Sequence, residues 1–162
     1  MKDFIPGIRN TARALIIQDQ KVLLLRKEGG GQTERFALPG GGQGLGETLE
    51  QTIQRECIEE IGASVNIGEL LHVADFFKLK SEEPPRQRHL VEFIFQCSLP
   101  EDYQPQNGSH PDKHQTEVLW VSLDQVEKLT FSPYYLSICI SNNLKLVGQN
   151  HYLGAFHDNP SS

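Results

Sequence analysis

Three glutamates within five residues, Glu56, Glu59 and Glu60, are the side chains of this sequence best suited to do chemistry together. The spacing of Thr48 and Gln51 is typical of a capping box and predicts a helix that begins at Thr48. At about 100° per residue, the three carboxylates fall within an arc of about 100° on that helix. Glu56 and Glu60 border its apolar stripe, which consists of Leu49, Ile53, Cys57 and Ile61.

This arrangement is unfavourable for the helix alone. Glu56 and Glu60 are like charges four residues apart, which costs about 0.2–0.5 kcal/mol. Glu59 and Glu60 lie in the last turn, where the helix dipole disfavours each anion by roughly 0.3–1 kcal/mol. A bound Mg²⁺ or Mn²⁺ would remove both conflicts, because these hard cations prefer oxygen ligands. The alternative is a solvated acidic face, and the position of the carboxylates beside the apolar stripe argues against it.

A glycine-rich stretch, residues 38–42, precedes the predicted helix and follows a predicted short strand, residues 35–38. Glycines adopt backbone conformations closed to other residues and let the chain approach a ligand closely. A backbone carbonyl of this stretch is therefore a candidate metal ligand, with a plain turn as the alternative. At the other end of the helix, Gly62 fits the left-handed position just past the last turn.

Residues 41–63 join these features at fixed spacing and resemble the Nudix box, the signature of hydrolases that cleave nucleoside diphosphates linked to another group. All seven fixed polar or glycine positions match: Gly41, Glu47, Arg55, Glu56, Glu59, Glu60 and Gly62. The resemblance implies an α/β (α+β) fold, a Nudix-type α/β/α sandwich in which a mixed β-sheet lies between helices. The likeness in element order covers most of residues 8–146 and is weak after residue 98.

The resemblance also implies roles for individual residues. Glu56, Glu59 and Glu60 would be the principal ligands of Mg²⁺ or Mn²⁺, and Gly40 would add its backbone carbonyl. Gly41, Glu47 and Gly62 would support the site structurally, and Arg55, counted with the catalytic set, would brace the loop against the helix. The family's general base varies, and Glu56 is one candidate. The 112–117 loop supplies the other candidates for the base or for an extra metal ligand, which are Glu117, Asp112 and, third, His114.

Substrate phosphates need cations, and a nucleobase needs an aromatic or apolar slot. Arg13, Arg26 and Arg88 are the candidate cations on predicted strands, with Lys78 and Arg86 beside them. The alternative for each is a residue that only solvates the surface. Phe76 is the first candidate for the slot, and the others are Phe77, Phe36 and Tyr103, although strand aromatics are more often part of the core. Trp120 is expected in the core.

Composition restricts the class of protein. The 162 residues suit one domain, residues 1–162, and 38% hydrophobic with 22% charged residues is ordinary for a globular chain. The net charge of −6 argues against nucleic acid as a partner. No apolar run is long enough to cross a membrane, and no signal peptide is recognisable at the N-terminus. Three widely spaced cysteines in apolar contexts are expected to be buried thiols, so we expect a reducing cytoplasm.

Hydrophobic patterning predicts mainly strands outside the box helix. Strands 11–17 and 21–25 should form a hairpin across the turn 18–20, and a polar loop should occupy residues 28–34. The remaining predictions, in chain order, are extended chain over 65–80, a turn at 82–87, a strand at 88–98, a loop at 100–113, a strand at 116–121, a capped short helix from Ser122 to about Leu129, a helix from Pro133 to about Leu146, and a loosely ordered tail from Gly148.

These observations favour a metal-dependent hydrolase of a pyrophosphate bond in a nucleoside diphosphate linked to another moiety. A likeness of residues 110–123 to ADP-ribose-hydrolysing members mildly favours ADP-ribose or a nucleotide sugar as substrate. The alternative substrates are nucleoside triphosphates, as for a house-cleaning pyrophosphohydrolase. A non-catalytic nucleotide-sensing module and an RNA-decapping enzyme of the same fold are the other hypotheses. Dimers are common in the family, so a homodimer is a further expectation.

Overall fold

The computed structural model describes residues 7–80, 86–143 and 151–158. Within these ranges the chain forms eight strands, two α-helices and one 3-10 helix. The strands are β1 (Ile8–Gln18), β2 (Lys21–Gly29), β3 (Gln32–Ala37), β4 (Gly40–Gly42), β5 (Asn66–Lys80), β6 (Arg86–Ser98), β7 (Gln115–Ser122) and β8 (Tyr152–Asp158). The helices are α1 (Leu49–Ile61) and α2 (Leu136–Asn143), and the 3-10 helix spans Leu123–Lys128.

The strands form one mixed sheet in the order β3-β2-β1-β6-β5-β8, in which β4 also pairs with β1 and β7 also pairs with β2. β1 runs parallel to β6, and β5 runs parallel to β8, while the other pairs are antiparallel. β1 therefore lies between the glycine strand β4 and the long strand β6. This position of β1 connects the glycine loop to the centre of the sheet.

A helix covers each face of the sheet, which confirms the predicted mixed sheet between helices. Successive side chains of a strand point to opposite faces, so one strand serves two cores. On one face α1 buries Ile53, Cys57 and Ile61 against apolar residues of β1 and β2. On the other face α2 buries Leu136, Cys139 and Ile140 against Leu15, Leu24 and Ile94. All three cysteines are free and buried, as predicted.

Local sequence signals set the first hairpin and the ends of α1. Asp19 and Gln20 both have positive φ, 52° and 62°, which is the backbone of a two-residue turn whose twist suits a hairpin. Thr48 caps α1, and both bonds of the predicted capping box with Gln51 are present. Gly62 follows the helix with φ 71°, the left-handed conformation that ends it.

The predicted loop at residues 28–34 is wrong. β2 continues to Gly29 and β3 begins at Gln32, so only Gly30 and Gly31 lie between the two strands. Both glycines have positive φ, which allows a tight turn where a polar, glycine-rich sequence suggests a loop. The predicted turn at 82–87 falls mainly on 82–85, outside the described residues, and residues 86–87 already belong to β6.

Three predictions for the C-terminal part also need correction. The short helix after β7 is a 3-10 helix, and Ser122 precedes it without a side-chain cap. α2 begins at Leu136 instead of Pro133, and the predicted residues 144–146 lie outside the described part. The tail is not loose at Tyr152–Asp158, because β8 pairs with β5 along that length. None of the described helices is long and apolar enough to cross a membrane.

Replacement of Thr48 by alanine is expected to lower the free energy of unfolding by about 1 kcal/mol, since the cap bond to the Gln51 amide is lost. Thr48→Ser keeps the hydroxyl and should stay close to wild type. Urea unfolding followed by circular dichroism measures both values. Equal stability of the alanine and serine variants would show that the cap contributes nothing.

Candidate active site

The glycine strand β4 holds the backbone that faces the glutamates. Gly40 lies opposite Arg13 in the pairing with β1 and has φ 145°. A Cβ at Gly40 would lie 2.2 Å from the Ala12 carbonyl oxygen, so any side chain there would push the two strands apart. The Gly40 amide donates a 2.8 Å hydrogen bond to Glu60 Oε1. The pairing of β4 with β1 and the glycine at position 40 together fix the position of the amide that donates to the Glu60 carboxylate.

Glu56 packs against the next residue of the same strand. A Cβ added to Gly41 would lie 2.5 Å from Glu56 Oε1, so the absence of a side chain makes room for this carboxylate. Glu56 and Glu60 are one helical turn apart on α1, and they contact consecutive glycines of β4. The structure thus brings both predicted ligands to the glycine loop.

Burial sets the electrostatics of the two carboxyls. Glu60 is only 2% exposed, and this burial raises its pKa to about 8, with further increases from Glu56 and Asp112. The Gly40 amide and the Lys27 charge oppose the shift without cancelling it. Burial also raises the pKa of Glu56, although its ion pair with Arg55 acts in the opposite direction. The surroundings of Glu56 and Glu60 therefore disfavour simultaneous ionisation of both carboxyl groups.

Arg55 connects the helix to the glycine loop. Its guanidinium makes a bidentate pair with Glu47, at 2.7 Å and 3.0 Å, and donates 3.1 Å to the Gly42 carbonyl. Glu47 also accepts from the Gly44 amide at 2.7 Å, and the Arg55 hydrogen bond lowers the Glu47 pKa to about 2. These contacts are those of a brace, which is the role that the box resemblance implies for both residues.

The donor chemistry of this corner suits a divalent cation. Glu56 and Glu60 supply hard oxygen atoms beside a glycine backbone, and a cation would relieve the repulsion between them. Glu59 is one-third exposed and contacts Arg55 only at 3.5 Å, so its carboxylate is not locked elsewhere. Among the described residues, no three acidic, histidine or cysteine side chains already surround a common point. Side-chain rotation of Glu59 would therefore have to complete a three-carboxylate site.

A groove of about 380 Å³ opens beside the glycine loop. Its floor is formed by one face of β1, β6 and β5, and its lining includes Glu56 and Asp112 as acidic residues. The apolar lining consists of Phe76, Leu90 and Pro133, and the cationic lining consists of Arg9, Arg13, Lys27, Lys78 and Arg88. Carboxylates at a glycine loop and a cation-rich groove together suit a phosphate-containing ligand with an apolar part.

Comparison with known proteins identifies the family. The NUDIX domain model matches residues 7–137, which include the glycine loop, α1 and most of the groove. The chain belongs to the Nudix family.

Individual relatives agree with this assignment. The ADP-ribose pyrophosphatase of Methanocaldococcus jannaschii is 32% identical over 81 residues, which are 50% of this chain and 45% of that protein. This chain therefore aligns with less than half of that relative's length. A NUDIX hydrolase structure from Nitrosomonas europaea has a TM-score of 0.69 and 21% identity, covering 96% of this chain and 82% of that one. A UDP-X diphosphatase structure has a TM-score of 0.63 and 23% identity, with 96% and 70% covered. The two structures share the fold of this chain, in agreement with the family.

The Nudix domain places three of the four predicted substrate residues in the groove. Arg88 is exposed in the groove, and its side chain has no ion pair or hydrogen bond to another described residue. Phe76 lies in the floor of the groove and is only 2% exposed. Arg13 also lines the groove, but its Nε donates 2.8 Å to the buried Glu92. Burial works against the Arg13 charge, yet Glu92 more than compensates and raises the Arg13 pKa. Arg13 thus reaches the groove as one half of a buried ion pair.

Arg26 and Glu117 are not brought to the groove. They lie opposite each other on β2 and β7 and form an ion pair with each other, and Arg26 also pairs with Glu28 and Glu34. His114 is likewise elsewhere, because its ring packs over Gly29 and Gly30 at the β2–β3 turn. Of the base candidates in the 112–117 loop, only Asp112 lines the groove, where it pairs with Lys27.

The remaining aromatic candidates for a nucleobase slot lie outside the groove. Tyr103 donates its hydroxyl to the Ile61 carbonyl at 2.7 Å, which satisfies the C-terminal end of α1. Phe77 points to the opposite sheet face from Phe76, where its ring stacks between those of His89 and His157. Phe36 belongs to the core beneath α2. Trp120 packs, half-buried, against the core beneath α1, as predicted.

The sequence predictions did not include Arg9 and Lys27, which line the groove, or Glu92 and Tyr135, which are buried behind Arg13. Glu92 is fully buried and accepts hydrogen bonds from Thr11, Arg13 and Tyr135. Burial favours its neutral form, but Arg13 and these donors hold its pKa below the usual range. A signal for Glu92 is present in the sequence, since a lone glutamate interrupts the apolar run 90–95 at an inward-facing strand position.

Because burial raises the pKa of Glu60 from about 4.5 to about 8, the native protein binds more protons than the unfolded chain between these values. The free energy of unfolding of the metal-free protein should therefore fall as pH rises from 5 to 8. Glu60→Gln removes this loss and should be more stable than wild type at pH 8, by on the order of 2 kcal/mol. The difference should shrink towards pH 5.

Urea unfolding in a chelator at pH 5, 6, 7 and 8 measures this dependence. Glu69→Gln, at an exposed position of β5, is the matched control and should show no such trend. The quantity to compare is the difference in unfolding free energy between Glu60→Gln and wild type. If this difference is no larger at pH 8 than at pH 5, the burial argument is contradicted.

Proposed function

We propose that this protein hydrolyses a pyrophosphate bond in a nucleoside diphosphate linked to another moiety, and that it requires Mg²⁺ or Mn²⁺. The observation that carries the proposal is the convergence of Glu56 and Glu60 on the glycine loop at the end of a cation-lined groove. Glu56, Glu59 and Glu60 would hold the cation, with the Gly40 carbonyl as a further ligand. Nudix hydrolases generally use a divalent metal, which agrees with this donor set.

Charge is the chemical difficulty in this reaction, because the anionic phosphates of the substrate repel a hydroxide nucleophile. A bound divalent cation neutralises that charge and lowers the pKa of a bound water. The protein's own contribution begins with the cations near the glycine loop. Lys27 and Arg9 line the same end of the groove as Glu56, so their charges oppose the phosphate charge there. Arg55 and Glu47 keep the loop and the helix in register while the substrate binds.

A carboxylate must also remove a proton from the attacking water. Glu56 and Asp112 are the two candidates that line the groove, whereas Glu117 is held by Arg26. A residue that acts as general base contributes typically 10²–10⁴-fold to the rate. If Asp112 is the base, its variant should lose that factor in kcat and still bind the cation. Glu56 is also a proposed ligand, so its variant is expected to lose cation affinity as well.

The substrate class is a nucleotide derivative of small size. The names of two relatives, an ADP-ribose pyrophosphatase and a UDP-X diphosphatase, support ADP-ribose or a nucleotide sugar. In this proposal the groove's apolar residues Phe76, Leu90 and Pro133 contact the nucleoside, and Arg13 and Arg88 contact charged groups. A cytoplasmic location and a homodimer remain predictions that accompany the proposal.

The first test is phosphate release, coupled to a phosphatase, from ADP-ribose, nucleotide sugars, dinucleoside polyphosphates and nucleoside triphosphates, with and without Mg²⁺ or Mn²⁺. We expect cation-dependent release that falls by at least 10²-fold in Glu59→Gln, because a cation ligand is lost. Glu50→Gln, an exposed position in the first turn of α1, is the matched control and should keep full activity. Unimpaired turnover in Glu59→Gln would overturn the cation site, and the best substrate would name the subclass.

A second test separates the two candidate bases. Glu56→Gln and Asp112→Asn are compared for kcat and for Mn²⁺ affinity by calorimetry. Loss of kcat with Mn²⁺ affinity kept identifies the base, since a base need not be a cation ligand. Loss of both in Glu56→Gln, with full activity in Asp112→Asn, would assign Glu56 to the cation and exclude Asp112 as the base.

A further inference from the structure

We propose that Lys78 and Arg88 bind a phosphate monoester that the substrate carries in addition to its scissile pyrophosphate. The inference rests on the proposed function and narrows its substrate class. Both side chains line the same groove as the glutamates, but they lie at its opposite end. The substrate would therefore have two anionic parts, separated by the portion that contacts the apolar residues of the groove.

Lys78 and Arg88 have no ion pair or hydrogen bond from their side chains to any described residue. Among the other groove cations, Arg13 pairs with Glu92 and Lys27 pairs with Asp112, whereas Arg9 lies over Gly42 without an ion pair to a described residue. Two strand cations that keep their charge unpaired are available to an external anion. The chain thus neutralises two of the cations close to the catalytic end, Arg13 and Lys27, and leaves Lys78 and Arg88 available at the other end.

The register of the sheet places the two charges directly opposite each other. Lys78 of β5 and Arg88 of β6 are cross-strand partners, and both point to the groove face with Phe76 and Leu90. Like charges at directly opposite positions destabilise a sheet. Asp158 of β8 lies opposite Lys78 on its other side and offsets part of this cost, but it forms no ion pair with Lys78 and does not face Arg88. An anion bound between Lys78 and Arg88 would remove the repulsion.

Strand order separates this pair from the catalytic end. The groove face runs from β4 through β1 and β6 to β5, and neighbouring strands are about 4.8 Å apart. On this spacing Arg88 lies about 10 Å, and Lys78 about 14 Å, from β4 across the strands. The register adds about 13 Å along the strands, because Gly42 pairs with Thr11 whereas Arg88 lies one position beyond the Ile8–His89 pair. Phe76, Leu90 and Pro133 supply apolar surface in the same groove. Arg9 spans part of the gap, because its guanidinium lies over Gly42.

Two adjacent cations match a phosphate monoester better than a single carboxylate. A phosphate monoester carries about −1.5 to −2 charges near pH 7, and a guanidinium binds its oxygens in a bidentate manner. The inferred class is therefore a nucleoside diphosphate derivative with a remote phosphate, such as a phosphate on a ribose hydroxyl. Plain ADP-ribose would leave Lys78 and Arg88 unpaired.

Pairs of compounds that differ only in this phosphate provide the test: ADP-ribose 2′-phosphate with ADP-ribose, NADPH with NADH, and coenzyme A with its dephosphorylated form. In at least one pair, wild type should show a kcat/KM about 10-fold or more in favour of the phosphorylated member, as for a charge-assisted contact. In Lys78→Ala/Arg88→Ala this ratio should fall to about 1. Lys21→Ala, which removes an exposed strand lysine far from the groove, should keep the wild-type ratio.

Thermal unfolding checks that the double variant is folded, and removal of two opposed like charges should not lower its Tm. Equal kcat/KM within every pair would overturn the inference and leave the hydrolase proposal intact. Absence of turnover on all compounds would contradict the proposed function instead. In that case calorimetric binding of the same pairs decides the inference, since tighter binding of the phosphorylated member, lost in the double variant, supports it and equal binding overturns it.

Discussion

The hydrogen bond from the Gly40 amide to the buried carboxyl of Glu60 is the contact on which the site depends. It joins the last turn of α1 to the strand that is paired with β1, and therefore links the helix layer to the sheet. Burial of this carboxyl raises its pKa, so the contact is maintained against an electrostatic cost. Only a glycine at position 40 lets the two strands come close enough to present the amide.

The contacts around the Gly40–Glu60 hydrogen bond reduce the electrostatic cost of placing carboxylates close together. Glu56 is placed one helical turn away against Gly41, and Arg55 offsets its charge while holding Glu47 and the Gly42 carbonyl. The brace is polar and partly exposed, so it fixes the geometry without closing the groove. The result is a pair of carboxylates that folding alone does not favour and that a divalent cation would stabilise. Natural proteins keep such local conflicts mainly at functional sites.

The parts of this site that could be predicted from sequence are those encoded by neighbours in the chain. The cap at Thr48, the left-handed Gly62 and the glutamate spacing on α1 are all local, and the structure has each of them. The parts that were missed depend on pairing between distant strands. Arg26 and Glu117 meet because β2 and β7 are neighbours, and β8 is ordered because β5 offers it an edge. Neither pairing is visible in the local pattern of residues.

The groove contains ion-paired and unpaired cations, and the difference depends on whether a buried carboxylate lies next to the cation in the sheet. Arg13 is backed by Glu92, which is fully buried and also accepts from Thr11 and Tyr135, so the Arg13 guanidinium is fixed and partly neutralised. Its Nη1 also reaches the Leu38 carbonyl at 3.4 Å, two residues before Gly40. Lys78 and Arg88 face each other across β5 and β6, and Lys78 also lies opposite Asp158 of β8, to which it forms no ion pair. On this face of the sheet, the ion-paired Arg13 positions the glycine loop, and the unpaired Lys78 and Arg88 are available to bind a ligand.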